Sequence, residues 1–174
     1  MIMAARSTLK RFYIATMMAI VGRGLAIASR IDAESRREAT RFPQGSIIAL
    51  RVHPRGPACV LQRSEAGLHY LGGDSTHAAD VEIIFKHLQH AWLLFTFQEN
   101  TPTAFARNRL VLDGEVAHGA VFNRSLARLL VLILPRFIAR RALKRYPDIG
   151  GGERFRGASA IYLRLPLEKR RSSV

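Results

Sequence analysis

A chain of 174 residues with 48% apolar content and nine Phe is long enough for one well-buried domain and rather short for two. That composition excludes global disorder, so the formal charge of +14 must sit on a folded surface. The charge is uneven: residues 1–46 hold eight cations against three acids, residues 47–134 eight against seven, and residues 135–174 eleven against three. Basic ends around a near-neutral middle suit an anionic partner, either nucleic acid or membrane head groups.

At the N-terminus, Arg6, Lys10 and Arg11 precede the apolar run FYIATMMAIVG, which resembles the opening of a secretory signal. Arg23 interrupts it, and a charged, helical stretch follows instead of a cleavage site. Phe12 to Ala28 is at the lower edge of a bilayer span and carries a central arginine, so a non-spanning helix is expected, packed on the domain or lying in a membrane interface. Signal or anchor stays open. GRG at Gly22–Gly24 reads as a kink in it. Residues 1–41 are therefore expected to form an N-terminal helical extension, with a second helical piece over Asp32–Arg41 that ends at FPQG.

The period then changes. SIIALRV, PACVLQRS, LHYLGG and ADVEIIFK are four short β-rich runs separated by turn residues, which predicts an antiparallel meander. Val81, Ile83 and Phe85 share one face, opposite Glu82 and Lys86, as in a sheet covered on one side. HLQHAWLLFTFQEN predicts a helix of about three turns, and TPTAFARN a short one with Thr101 at the N-cap and Pro102 at the first helical position. RLVLDGEV is a fifth strand, with Leu110 and Leu112 alternating with Val111 and Asp113. Ala117–Leu134 returns to helical spacing, with Val121, Phe122, Leu126, Leu129, Leu130 and Ile133 near one side. Val131, Leu132 and Leu134 add apolar surface elsewhere on it.

After Pro135 the segment to Pro147 holds five cations, Arg136, Arg140, Arg141, Lys144 and Arg145, over about half a helix circumference at about 100° per residue. Phe137 sits among them, an arrangement common at bilayer interfaces. A solvated surface helix and a membrane- or anion-contacting face are both open for residues 135–147. Residues 148–174, with GGG at Gly150–Gly152 and a β-like run ASAIYLRL, read as a flexible basic tail.

Groupings of residues suited to catalysis or metal binding are sparse in the sequence. His87 and His90 share a predicted helix face, yet no Cys or acid stands at a supporting spacing for a metal. Asp113, Glu115 and His118 crowd one turn, where a carboxylate has an ordinary role at a helix start. Ser46, Ser64 and Ser159 sit in no nucleophile elbow, and neither GRG nor GGG has the context of a phosphate loop. Cys59, the only cysteine, lies in the apolar run PACVL and reads as a small buried hydrophobe. The strands lack the aromatic and basic interleaving of a base-stacking sheet. No enzyme, metal or cofactor is expected.

The block Ala79–Leu134 resembles the signature of the sterol carrier protein type 2 family: ADVEIIFK, an apolar helix, then TPTAFARNRLVLDGEVAHGAVF. Within the family it looks most like bacterial single-domain lipid carriers, among them accessory factors of ubiquinone biosynthesis, through Arg107 and Arg109 before the strand and the following Gly114-Glu115. The strands from Ser46 to Gly72 extend the resemblance to about residues 42–134. The resemblance implies an α/β fold in which a five-stranded, mostly antiparallel sheet and covering helices enclose an apolar lipid cavity. Trp92, Phe95, Phe97, Phe105, Phe122, Leu126, Leu129 and Leu130 exceed what one sheet face needs, and are expected either on the cavity wall or in plain core. The implied function is non-enzymatic binding or transfer of a sterol, fatty-acyl or isoprenoid-quinone lipid. The implied setting is the cytoplasmic membrane surface, with Arg136, Phe137, Arg140, Arg141, Lys144 and Arg145 in contact with anionic lipid and a lipid-modifying enzyme complex as a further partner. A basic nucleic-acid- or ribosome-associated protein is the alternative.

Overall fold

The computed structural model describes residues 2–73, 76–134 and 151–164, with side chains from residue 7 in the first stretch and from residue 158 in the last. In chain order the elements are α1 (Ile2–Ile31), α2 (Ala33–Ala39), β1 (Ile47–Val52), β2 (Ala58–Ser64), β3 (Gly67–Gly72), β4 (Val81–Phe85), α3 (Leu88–Phe95), α4 (Thr101–Ala106), β5 (Leu110–Gly114), α5 (Val116–Ile133) and α6 (Gly151–Arg164). Residues 135–147, and with them the basic segment, lie outside the described residues.

The fold is α/β, with one five-stranded sheet in the order β3-β2-β1-β4-β5. The meander expected over four strands holds for three. β1, β2 and β3 pair as antiparallel neighbours, but β4 returns across the sheet and pairs β1 in parallel, Ile48 opposite Val81 and Val52 opposite Phe85. Asp80 fastens that junction, since its carboxylate accepts the Ile47 N–H at 2.8 Å and its own N–H donates to the Ile47 carbonyl at 2.9 Å. β5 then pairs β4 antiparallel, which makes the sheet mixed and mostly antiparallel.

On the sheet's covered face α1 lies against β2 and β3, so of the two settings expected for the N-terminal helix, packed on the domain or lying in a membrane interface, α1 has the first. Ile14, Met18, Val21, Leu25 and Ala28 recur at intervals of three and four, so they form one stripe, and all are buried in the cluster that holds Ile48, Leu50, Cys59, Leu61 and Tyr70. By length and composition α1 and α5 could each cross a membrane, yet both contribute to this core. Gly22-Arg23-Gly24 lies within the continuous helix α1, and its glycines serve close packing. A Cβ on Gly22 would lie 2.5 Å from the Tyr70 ring and 2.6 Å from Cys59 Sγ, so the missing side chain is what lets α1 approach the sheet. At Gly67, with φ +124°, a Cβ would stand 2.7 Å from Ser29 Oγ, which accepts the Leu68 N–H at 2.9 Å and ties α1 to β3. Cys59 is fully buried beside Gly22, and burial pushes its thiol up to about 12, so it stays a protonated, unreactive hydrophobe.

Three shorter corrections follow from local chemistry. α3 spans two turns, because Phe97 takes a left-handed φ of 57° just beyond it. Asn100 caps α4, its side chain accepting the Thr103 N–H at 2.9 Å, which moves Thr101 and Pro102 into the first turn. The run at Ala158–Leu165, expected as strand, is helical to Arg164, and the glycines at 151 and 152 open that helix instead of linking to it. Among the described side chains there only Ile161 is fully buried, as α6 packs on α1 and α5, while Tyr162 donates to the Ile133 carbonyl at 2.8 Å. Val131 and Leu132 of α5 are buried on sides the expected single face did not include, and α5 packs on α2, α6 and α1 as well as on the sheet.

Candidate functional site

Between the sheet and the helices lies a cavity of about 320 Å³. Its floor is strand: Leu50 of β1, Ile83 and Phe85 of β4, and Leu110 and Leu112 of β5 all point the same way by the two-residue period of a strand. Its walls are helical, with Val21 from α1, Leu94 and Phe95 from α3, and Phe122 and Leu126 from α5. Gly119 sets how closely α5 lies on β5, for a Cβ there would meet Leu112 at 2.4 Å. α4 and the first turns of α5 form two lips. Phe105 is 48% exposed and Val116 76% exposed, and both also line the cavity, so the opening lies between α4 and α5. Among the described residues no lining side chain is charged, and the polar ones are Thr101 and Asn123.

The predicted wall residues divide. Phe95, Phe105, Phe122 and Leu126 line the cavity. Phe97 and Leu130 line a smaller adjoining hollow of about 40 Å³, which shares Val21, Leu94, Phe95, Thr101 and Leu126 with the first and is also lined by Glu99. Trp92 lies elsewhere, in ring contact with Tyr13 at 5.2 Å and beneath the Lys10 ammonium at 5.4 Å. Leu129 is fully buried core against Gly24. The wall residues missed in the sequence include the whole strand floor as well as Val21, Leu94 and the lip residues apart from Phe105. Leu110 and Leu112 had a readable signal in their alternation along β5, whereas Val21 and Leu50 enter only because distant elements converge.

Among the described residues, three arginines near α4 and on α5 hold a carboxylate. Glu99, almost completely buried, holds Arg107 at 2.9 Å and Arg109 at 3.1 Å, and Glu38 holds Arg124 at 2.9 Å. The other chemical candidates do not converge here. His87 and His90 face each other at 5.2 Å between rings, and burial, with the neighbouring His87 and Arg109, lowers the His90 pKa, which favours the neutral ring. Glu115 Oε2 lies 3.2 Å from His118 Nδ1, and at the N-cap of α5 it makes no side-chain capping bond. Among the described residues, no three His, Cys, Asp or Glu side chains are grouped as a metal site would need.

No protein-family model matches the chain, and no curated protein does. Solved structures do. A UbiJ-SCP2 ubiquinone synthesis protein is similar over 70% of this chain and 98% of its own, at 14% identity and a TM-score of 0.47. Sterol Carrier Protein 2 from Yarrowia lipolytica, in its apo form, is similar over 62% of this chain and 88% of its own, at 14% identity and a TM-score of 0.41. Palmitated SCP2L2 from Aedes aegypti is similar over 58% of this chain and 91% of its own, at 13% identity and a TM-score of 0.37. The sterol carrier protein 2 family is the one that the block Ala79–Leu134 resembles.

Proposed function

We propose that this chain is a non-enzymatic lipid carrier that holds an apolar tail in the cavity beneath α4 and α5. The observation that carries the reading is the cavity's lining: about 320 Å³ walled mostly by aliphatic and aromatic side chains, with no charge among the described residues that line it. Such a space solvates a hydrocarbon tail well and a charged substrate badly. Catalysis needs converging acid, base or nucleophilic groups at the reacting atoms, and the described residues of the wall offer only Thr101 and Asn123. Nucleic-acid binding needs no such cavity. The finer reading is an accessory role in isoprenoid-quinone synthesis, on the cytoplasmic membrane surface and beside a lipid-modifying enzyme complex. Organic extraction of protein purified without detergent, followed by mass spectrometry, is the test: a lipid at near one-to-one stoichiometry is expected, and reproducibly lipid-free protein overturns the reading.

Exchange with a bilayer requires the carrier to stay at the surface while a tail moves. The basic segment suits that role, with Arg136, Phe137, Arg140, Arg141, Lys144 and Arg145 as the proposed contacts. Each cation near an anionic leaflet contributes about 1 kcal/mol, weakened by salt. Replacing Arg140, Arg141, Lys144 and Arg145 with Glu is expected to release the protein from anionic vesicles in flotation; unchanged binding would place the contact elsewhere.

A further inference from the structure

We infer that the hollow adjoining the cavity is a polar subsite, in which the buried carboxylate of Glu99 receives the hydroxyl of a long-chain alcohol that enters hydroxyl first. The inference rests on the lipid-binding reading and narrows it. The cavity and the hollow share Val21, Leu94, Phe95, Thr101 and Leu126, so a ligand filling the first borders the second. Helix rise gives the depth. On α5 the lip residue Val116 and the shared Leu126 are ten residues apart, about 15 Å at about 1.5 Å per residue, and Leu130 of the hollow lies a further turn on. On α4 Thr101 lies one turn from the lip residue Phe105 and on the same face. The hollow therefore stands at the end of the cavity remote from Val116, where the leading end of a ligand arrives.

Glu99 is the feature of that end that an apolar lining does not require. Its side chain is 6% exposed, and it shares the hollow with Met17, Phe97 and Leu130. Arg107 Nη1 donates to one carboxylate oxygen at 2.9 Å and Arg109 Nη1 to the other at 3.1 Å. Glu99 precedes α4 and the two arginines follow it, so the ion pairs hold the acceptor in place. A carboxylate offers about four lone-pair sites, of which these arginines take two among the described residues. Burial makes the remaining acceptor capacity costly to leave unused. The hollow, at about 40 Å³, has room for about one to three water-sized groups, so a hydroxyl inside it meets the Glu99 and Thr101 that line it. An O–H replaces water as a donor to the carboxylate and can accept from the Thr101 hydroxyl, whereas an ether or hydrocarbon end displaces water without replacing its bond.

The test uses the full chain after delipidation, loaded with the neutral dye Nile red, and follows displacement by hexadecanol and by hexadecyl methyl ether. Both probes carry one tail and one oxygen, and only the alcohol donates. Hexadecanol is expected to displace the dye at about tenfold lower concentration, and Glu99→Gln, which keeps the size of the side chain and removes its charge, to bring the two within about threefold. Arg107→Ala, a change at an exposed side chain that leaves Arg109 on the carboxylate, is expected to keep the preference. Its loss there would assign the effect to the closure of α4 and overturn the role of the carboxylate. Equal displacement, or the ether the stronger, overturns the alcohol subsite while leaving lipid binding intact. A preference unmoved in folded Glu99→Gln overturns the assignment to Glu99. Should circular dichroism show that variant unfolded, Thr101→Val carries the test, with the same narrowing expected and an unmoved preference overturning the subsite. Failure of Nile red to bind at all sinks the lipid-binding reading beneath it.

Discussion

Leu126→Arg will give a folded protein emptied of lipid, whereas Leu129→Arg will give no soluble folded protein. The two leucines are three residues apart on α5 and read alike in the sequence, yet their surroundings differ. Leu126 is half-buried on the cavity wall, and a long side chain there can lie along the wall with its guanidinium toward the opening, blocking the tail's path. Leu129 is fully buried and packs against Gly24 of α1, with no space beside it. A guanidinium in that position is an unpaired buried charge, whose effective penalty of several kcal/mol is comparable to a typical stability of about 5–15 kcal/mol. Circular dichroism and lipid extraction on the two variants together check this. Wild-type lipid content in a folded Leu126→Arg protein would remove Leu126 from the proposed site, and a soluble, cooperative Leu129→Arg protein would contradict the packing described for α1 and α5.

Asp32→Ala is expected to cost about 3 kcal/mol in urea unfolding, because it strips one partner from a buried pair. Asp32 caps α2, accepting from the Ser35 N–H at 2.9 Å and hydroxyl at 2.8 Å. It also receives Arg128 of α5 at two oxygens, 3.1 Å and 2.8 Å, and so clamps α2 onto α5. Arg128 keeps Glu34 at 2.9 Å in the variant, but that carboxylate is largely exposed and replaces little of the loss. Burial alone would raise the Asp32 pKa; the hydrogen bonds from Arg128 and Ser35, with the charge of Arg128, overcome it and hold the carboxyl below its ordinary value. The unfolded chain therefore binds a proton more readily than the folded one. The stabilisation is fully present above the ordinary carboxylate range and is lost as pH falls through the lowered folded value. Asp32→Asn retains a capping oxygen without the charge, so its stability should be flatter with pH over that window than the wild type's. Parallel pH profiles would contradict the clamp.

Local patterns in the chain were enough to locate most elements. The change from a helical to a two-residue period at Ser46, the turn residues between strands, and the return to helical spacing near Ala117 report on backbone geometry that neighbouring residues decide among themselves. The block Ala79–Leu134 therefore carried its family resemblance in sequence alone, and four aromatic or aliphatic residues named from it, Phe95, Phe105, Phe122 and Leu126, stand on the cavity wall. Thr101 and Pro102 missed the capping position by one residue, since Asn100 supplied a competing acceptor that the sequence pattern did not rank above a threonine.

Pairing and closure belong to the tertiary structure. β4 pairs β1 in parallel because its partner is chosen by sheet closure across more than thirty residues. Trp92 and Leu129 share the apolar character of the wall residues, yet one is taken up by Tyr13 and Lys10 and the other by Gly24, contacts that exist only once α1 lies against the helices beyond the sheet. The glycines of α1 show the same division. Their identity is local and permits a kink or a close approach equally, and the positions of Tyr70, Cys59 and Leu129 make it close approach. The sequence by itself determined the charge distribution, the order and type of most elements and the apolar supply for a cavity, because these depend on residues near one another in the chain. Which apolar side chains face a cavity and which fill the core was decided by long-range packing, because burial takes every apolar side chain out of water alike and only geometry leaves some of them facing empty space.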